Sequence, residues 1–171
     1  MKFIYNIFLY FFLLVNGVTN KKKFIILIPK FLAVYFKKIL IFNMLKKRIF
    51  IQHVRDINDI DTAYEIFGNE NYGITKLAHW DQIKKKIVNK IPLIINCGSN
   101  IGSSSHFFCE LFEKSKIICI EPEINNFNQL KKIFKSNQAE YFCNAASCEK
   151  KNYSLIHSEN NRAFIINFEK N

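Results

Sequence analysis

The chain has 171 residues, of which 49% are apolar and 15% aromatic, so it can bury one core and is too apolar to be disordered throughout. Its formal net charge of +11 lies entirely in residues 1–55, which hold 11 of the 25 Lys and Arg residues and no Asp or Glu. Residues 56–171 are neutral, with 14 basic and 14 acidic residues. We therefore predict a basic apolar arm over 1–55, a lead-in segment over 56–90 and an α/β domain over 91–171.

The arm begins with an apolar segment, Phe3–Val18, followed by three lysines. At 16 residues the segment is shorter than the roughly 20 residues that a membrane-spanning helix needs. Phe24–Phe50 mixes apolar blocks with lysines, which is typical of a helix lying on anionic lipid. We expect a helical extension and keep three roles open: contact with an anionic membrane surface, packing on the domain, or a signal or anchor. Nucleic acid is not predicted as a partner, because the arm is too apolar to track phosphates.

The lead-in segment has balanced charge and small turn residues. Glycine and asparagine residues predict a turn or loop between Ile66 and Ile74. Apolar residues among lysines predict a short helix over Ile83–Val88. This segment therefore leads into the domain that follows.

Apolar runs and helical patterns alternate through the rest of the chain. Strands are predicted first at Leu93–Cys97, as a buried parallel strand, and then at Lys116–Ile120, Glu140–Cys143, Tyr153–Ile156 and Ala163–Phe168. Helices are predicted at Ile101–Phe112, with Ser99 or Asn100 near its cap, and at Asn125–Phe134. This alternation predicts a parallel sheet with right-handed crossovers.

The five cysteines predict neither a disulfide framework nor a zinc site, because their number is odd and no pair has CxxC spacing. Cys97, Cys119 and Cys143 lie in the predicted strands, where cysteine acts as a small buried hydrophobic residue. Reduced thiols suit a cytoplasmic protein. With the basic arm, they predict a protein in the cytoplasm that is peripheral on the inner face of the membrane.

The loop Gly98-Ser99-Asn100-Ile101-Gly102 follows the first strand, and Glu121 ends the second, 23 positions after Gly98. A dinucleotide-binding fingerprint has a carboxylate about 20 residues after its glycines. Asn100 replaces the middle glycine, at which the backbone approaches a pyrophosphate. A cofactor without phosphates, such as S-adenosylmethionine, therefore fits better than a dinucleotide.

Four segments resemble the FkbM-type class I methyltransferases: TAYEIFGNENYGITKL, CGSNIG, IEPEINNFNQLKKIF and CNAAS. The resemblance covers roughly residues 56–160. It implies a Rossmann-like methyltransferase sheet in a three-layer αβα arrangement, with S-adenosylmethionine as cofactor. It also implies O-methylation of a hydroxyl group on a sugar-like or other small-molecule or glycan acceptor.

The resemblance also implies the residues that bind the cofactor. Gly98, Ser99, Asn100 and Gly102 would line its methionine end, and Glu121 would accept hydrogen bonds from its ribose hydroxyls. Pro122 would shape the turn beside the adenine, and Asn144 and Ala145 would lie near the ring. Asn96 stands where the family carries an acidic residue; its amide can form hydrogen bonds but cannot balance the cofactor's positive charge.

The chain stops before the later strands of that family, so we expect an incomplete sheet, truncated after its third core strand. No catalytic base is assigned, since His106 and His157 are more typical of structural histidines. Two alternatives stay open. The chain could be a non-catalytic, membrane-associated remnant of such an enzyme, or an NAD-dependent oxidoreductase, against which Asn100 argues.

Overall fold

The computed structural model describes residues 24–112, 114–134, 137–149, 152–157 and 164–168. The predictions for Phe3–Val18 and the three lysines after it lie outside the described residues. The chain divides into two compact units, the first ending at Asn71 and the second beginning at Tyr72. This division falls inside the predicted lead-in segment, 56–90.

The first unit contains a three-stranded antiparallel sheet with strand order β1-β2-β3. Its elements are β1 Phe24–Ile26, α1 Lys30–Phe36, β2 Lys38–Asn43, β3 Arg48–His53 and α2 Ile57–Ala63, with a π-helical turn at Tyr64–Gly68. The fully buried side chains of Phe24, Ile39, Ile60 and Phe67 form its core. The rings of Phe24 and Phe67 pack edge to face, with centroids 5.5 Å apart.

The predicted helical extension is wrong for residues 24–53, which form three strands and only one helix of seven residues. The apolar runs FIILI and ILIF are too short to distinguish a buried helix from a strand by periodicity. In β2, Ile39 and Ile41 are buried, while Leu40 and Phe42, which alternate with them, are partly exposed. This alternation buries one face of a pleated strand, and β-branched and aromatic residues suit such a surface.

The second unit contains a parallel sheet with strand order β4-β5-β6 and a separate antiparallel pair, β7-β8. Its elements are a 3₁₀ turn Ile74–Lys76, α3 Trp80–Ile87, β4 Leu93–Cys97, α4 Ser103–Leu111, β5 Lys116–Ile120, α5 Ile124–Leu130, β6 Ala139–Phe142, β7 Tyr153–His157 and β8 Phe164–Phe168. The predicted parallel sheet is confirmed, and β4 and β5 have the predicted bounds. The unit is α/β and compatible with a partial Rossmann-like fold.

Among the residues that the structure describes, the helices α4 and α5 pack on the same face of the parallel sheet. Cys109 of α4 and Leu130 of α5 pack with Ile117, Cys119 and Ala139 in a buried cluster. The side chains that alternate with these point to the other face. The core of the second unit therefore lies between the sheet and the helices α4 and α5.

On the opposite, uncovered face, Leu93 and Ile95 of β4 and Phe142 of β6 are exposed. The prediction of a buried strand over Leu93–Cys97 is therefore wrong for alternate residues of β4. The reason is its position at the edge of the described sheet, with helices on one side only. Parallel sheets are usually covered on both faces.

The cysteines in and near the sheet also differ in burial. Cys119 is buried beneath the helices, as predicted, and Cys109 is buried on α4. Cys97 and Cys143 are exposed, so the prediction that they act as buried hydrophobic residues is wrong. Cys97 ends β4 on the same side as Leu93 and Ile95, and Cys143 follows the last residue of β6.

Candidate functional site

Backbone hydrogen bonds join the carboxyl ends of the three parallel strands. The N–H groups of Gly98 and Ser99 donate to the carbonyl oxygen of Ile120, at 2.9 and 3.0 Å. The N–H of Glu121 donates to the carbonyl oxygen of Phe142 at 3.0 Å. The loop after β4, the turn after β5 and the end of β6 therefore meet at one edge. In open α/β sheets, ligands bind outside this carboxyl edge.

The loop after β4 contains three left-handed residues, Gly98, Asn100 and Gly102, with φ angles of 77°, 49° and 90°. Asparagine is one of the few non-glycine residues that tolerate this conformation, so Asn100 suits its position. The side-chain oxygen of Asn100 also accepts a hydrogen bond from the N–H of Ile101, at 2.7 Å. The sequence GSNIG thus turns the chain sharply from β4 into α4.

The two glycines of this loop have different surroundings. A Cβ atom on Gly102 would lie 2.5 Å from Cδ1 of Ile133 and 2.7 Å from Cδ1 of Leu130. Gly102 is therefore required where the start of α4 packs against the end of α5. A Cβ atom on Gly98 would meet no atom within 4 Å. Of the two, only Gly98 leaves room for a ligand to approach the backbone.

Asn96 connects β4 to the first turn of α4. Its Nδ2 atom donates to the hydroxyl oxygens of Ser104 and Ser105, at 2.8 and 2.6 Å. Its carbonyl oxygen accepts a hydrogen bond from the hydroxyl of Ser99 at 2.8 Å. Gly102 occupies the N-cap position of α4, two residues after Asn100, so Ser99 and Asn100 lie near the cap and do not form it. The hydroxyl of Ser99 is instead directed to the strand, where it holds the loop.

Glu121 is 3% exposed, and protein donors surround its carboxylate. Its Oε2 atom accepts the backbone N–H of Asn100 at 2.7 Å. Its Oε1 atom accepts the N–H of Glu123 at 3.0 Å and Nδ2 of Asn126 at 3.3 Å. These hydrogen bonds compensate for burial of the charge. Glu121 therefore links the loop after β4 to the turn that begins α5.

Glu123 and Asn126 also belong to this turn, although neither was predicted from the sequence. Glu123 is the N-cap of α5, and its carboxylate accepts the N–H groups of Asn125 and Asn126 at 2.9 and 2.7 Å. A carboxylate just before a helical pattern is a recognisable cap signal, strengthened by the helix dipole. Pro122 lies between the two buried carboxylates, Glu121 and Glu123.

The last two predicted residues follow β6 at the same edge of the sheet. Asn144 is exposed, and its side-chain oxygen accepts the N–H of Ala145 at 2.9 Å. Asn144 thus shapes its own turn, as asparagine often does in loops. The structure therefore brings Asn100 into direct contact with Glu121 and holds Asn96 with Ser99, while Asn144 and Ala145 form a separate turn.

Two titratable side chains lie beneath the helices rather than at the edge. Burial raises the pKa of the Cys119 thiol, whose sulfur lies 3.4 Å from the hydroxyl oxygen of Ser105. Burial, and then the neighbouring Cys119, raise the pKa of Tyr141 to about 12. Both groups are neutral at physiological pH, so neither is an activated nucleophile. In the described part of the chain, no three His, Cys, Asp or Glu side chains are grouped to hold a metal ion.

The second unit thus presents a glycine–asparagine loop, a buried carboxylate and a third strand end at one edge of a parallel sheet. Across the segments that the structure describes, no helix has the length and apolar character needed to cross a membrane. In comparisons with known proteins, no family model, curated protein or solved structure matches this chain.

Proposed function

We propose that the second unit binds S-adenosylmethionine and belongs to a methyltransferase of the FkbM type. Its substrate would be a hydroxyl group on a sugar-like or other small acceptor. The proposal rests most directly on Glu121, which meets the GSNIG loop through a 2.7 Å hydrogen bond to the N–H of Asn100. The ribose hydroxyls of this cofactor need an acceptor such as a carboxylate. Its cationic, phosphate-free tail needs open space beside the adjoining turn.

The residues present fit this cofactor at two points. Space beside Gly98 would admit the methionine end close to the backbone. Glu121 accepts three protein hydrogen bonds, and a carboxylate has about four acceptor sites. One ribose hydroxyl could therefore be added, and a second would have to replace one of the three protein donors. Glu121 would position the ribose only with an adjustment of the loop.

The cofactor, when bound, supplies an activated methyl group. The chain's own contribution is then to hold the nucleoside at Glu121 and to orient the tail along the loop. Asn96 contributes indirectly, because its hydrogen bonds to Ser104 and Ser105 fix the first turn of α4. Correct alignment is the main requirement of methyl transfer, since the reaction needs little covalent assistance.

A second candidate function is that of a non-catalytic remnant with the same fold. The observation in its favour is the burial of Glu121, whose carboxylate is occupied by protein donors. Asn96 supports it as well, because an amide provides no negative charge near the sulfonium. In that case the carboxylate would serve only to hold the loop, and the unit would not bind S-adenosylmethionine.

Calorimetric titration of the whole chain with S-adenosylmethionine distinguishes the two functions. The variant Gly98→Asn fills the open space, and asparagine tolerates the left-handed backbone there. Gly73→Asn is the matched control, because Gly73 is also left-handed and has no neighbour within 4 Å of its Cβ position. We expect binding by wild type and Gly73→Asn, and on the order of tenfold weaker binding, about 1.4 kcal/mol, by Gly98→Asn.

Failure of the wild-type chain to bind S-adenosylmethionine would leave the remnant as the supported function. Equal affinities of Gly98→Asn and wild type would show that any binding takes place away from the loop. The same titration with NADH tests the oxidoreductase, and binding of NADH instead would replace the proposal with a dinucleotide site.

A further inference from the structure

Helix α1 in the first unit exposes its largest side chains and buries its smallest. Ala33 is fully buried, whereas Phe31 and Tyr35 are 72% and 80% exposed. Val34 and Phe36 are also exposed. Phe31, Val34 and Tyr35 lie on one face, since residues three and four apart are neighbours on a helix. A helix at the surface of a protein normally buries its large apolar side chains and exposes polar ones.

This helix is fixed in place by contacts at its start. The amine of Lys30 lies 2.5 Å from Oδ1 of Asp61, and the hydroxyl of Tyr64 donates to the carbonyl oxygen of Ile28 at 2.6 Å. The exposed aromatic side chains are therefore presented by a helix anchored to the unit.

Basic residues adjoin the aromatic face. Lys37 ends α1 and Lys38 begins β2, and both are exposed. Residues 24–55 contain seven Lys and Arg residues and no acidic residue. An exposed apolar patch marks an interaction site, and the charge beside it selects an anionic partner. Aromatic rings with adjoining lysines match the boundary between headgroups and acyl chains of an anionic bilayer.

We propose that a surface formed by Phe31, Val34, Tyr35 and Phe36 of α1, with Lys37 and Lys38, binds the surface of an anionic lipid bilayer. The aromatic rings enter the headgroup region, and the lysines contact the lipid phosphates. Nucleic acid fits less well, because Val34 lies between Phe31 and Tyr35 and offers no ring for stacking. The α1 surface belongs to the first unit and the candidate cofactor site to the second, and the two proposals rest on different residues, so either can fail alone.

Two double variants test the two components of the α1 surface. Phe31→Gln with Tyr35→Gln removes the exposed rings and retains good helix formers. Lys37→Asn with Lys38→Gln removes two charges, and asparagine keeps the left-handed backbone of residue 37. The matched controls are Leu77→Gln with Val88→Gln, which are exposed apolar residues, and Lys85→Gln with Lys86→Gln, which are exposed lysines.

The full chain is floated with phosphatidylcholine vesicles that contain or lack phosphatidylglycerol. We expect binding only to the anionic vesicles, weakened by added salt. Loss of the two lysines should weaken partitioning roughly 25-fold, since each basic residue near such a surface contributes about fivefold. Loss of the two rings should weaken it roughly tenfold, through the lost apolar burial. Both control variants should partition as wild type does.

Three results would overturn the proposal. Unchanged flotation of both α1 variants would assign any lipid binding to another segment. Absence of wild-type flotation would exclude a bilayer as the partner. Binding of single-stranded DNA, or a change in oligomeric state, that responds to the α1 variants while flotation does not would identify nucleic acid or a second copy of the chain as the occupant.

Discussion

The carboxylate of Glu121 accepts the backbone N–H of Asn100 at 2.7 Å, across 21 positions of sequence. Asn100 is the left-handed residue at the centre of the GSNIG loop, and Glu121 is the first residue after β5. The loop conformation is thus coupled to the tip of the neighbouring strand. A change at Glu121 should therefore affect folding of this edge as well as any ligand.

Glu121→Ala should reduce the free energy of unfolding by about 3 kcal/mol, because it leaves buried donors without an acceptor. The donors concerned are the N–H groups of Asn100 and Glu123 and the amide of Asn126. Equilibrium unfolding in urea, followed by far-ultraviolet circular dichroism, measures the difference. Glu140→Ala is the control, since Glu140 is exposed on β6 and should change stability by about 0.5 kcal/mol or less. Equal effects of the two substitutions would contradict the role of Glu121 in linking the loop after β4 to the turn that begins α5.

Gly102→Ala should destabilise the chain more than Gly73→Ala. Both glycines are left-handed, so each substitution adds about 1–2 kcal/mol of backbone strain. Only at Gly102 does the new methyl group also collide with Leu130 and Ile133. Overpacking of this kind costs about 1–3 kcal/mol in addition, measurable by urea unfolding of the two variants. A Gly102 variant as stable as the Gly73 variant would show that the side chains of Leu130 and Ile133 move to make room for the methyl group.

The five thiols should separate into two classes towards a thiol reagent under native conditions. Cys97, Cys143 and Cys148 are exposed and should react quickly. Cys109 and Cys119 are buried and should react only as the unit opens, since access and thiolate formation both limit the rate. Mass spectrometry after brief labelling identifies the modified residues. Rapid labelling of Cys119 in the folded chain would contradict its burial in the core between the sheet and α4.

Tyr141 should make the folded chain less stable as the pH rises from 10 to about 12. The folded state holds the Tyr141 pKa at about 12, against the ordinary tyrosine pKa of 10.0. Between these values the unfolded chain loses the phenolic proton and the folded chain keeps it, so the free energy of unfolding falls. The contribution is fully present below pH 10 and is lost as the pH passes through the folded pKa.

Tyr141→Phe should remove this part of the pH dependence and leave that of the other tyrosines. Titration of tyrosinate absorbance in the folded wild type should show a component near pH 12 that is missing from the variant. If the two titration curves coincide, the hydroxyl of Tyr141 is not buried in the way the structure describes.

The sequence alone determined the arrangement of the second unit. Apolar runs predicted the strands Leu93–Cys97 and Lys116–Ile120 with their observed bounds. The GSNIG pattern predicted a loop directly after the first strand, and the residue types in it suit the left-handed backbone that is observed there. These features are local: each depends on the conformational preferences of a few neighbouring residues.

Only the tertiary structure decided which side chains are buried or exposed and which groups they contact. The runs in residues 24–53 became strands through pairing between distant segments, which periodicity over four or five residues does not encode. The edge position of β4 left Leu93 and Ile95 exposed, and the packing of α5 gave Gly102 its role. From the sequence, Glu121 was predicted to bind a ligand. Its observed partners are instead the N–H of Asn100, 21 positions away, and the N–H of Glu123 in the turn that follows β5. Such contacts arise only when strands that are distant in sequence lie side by side.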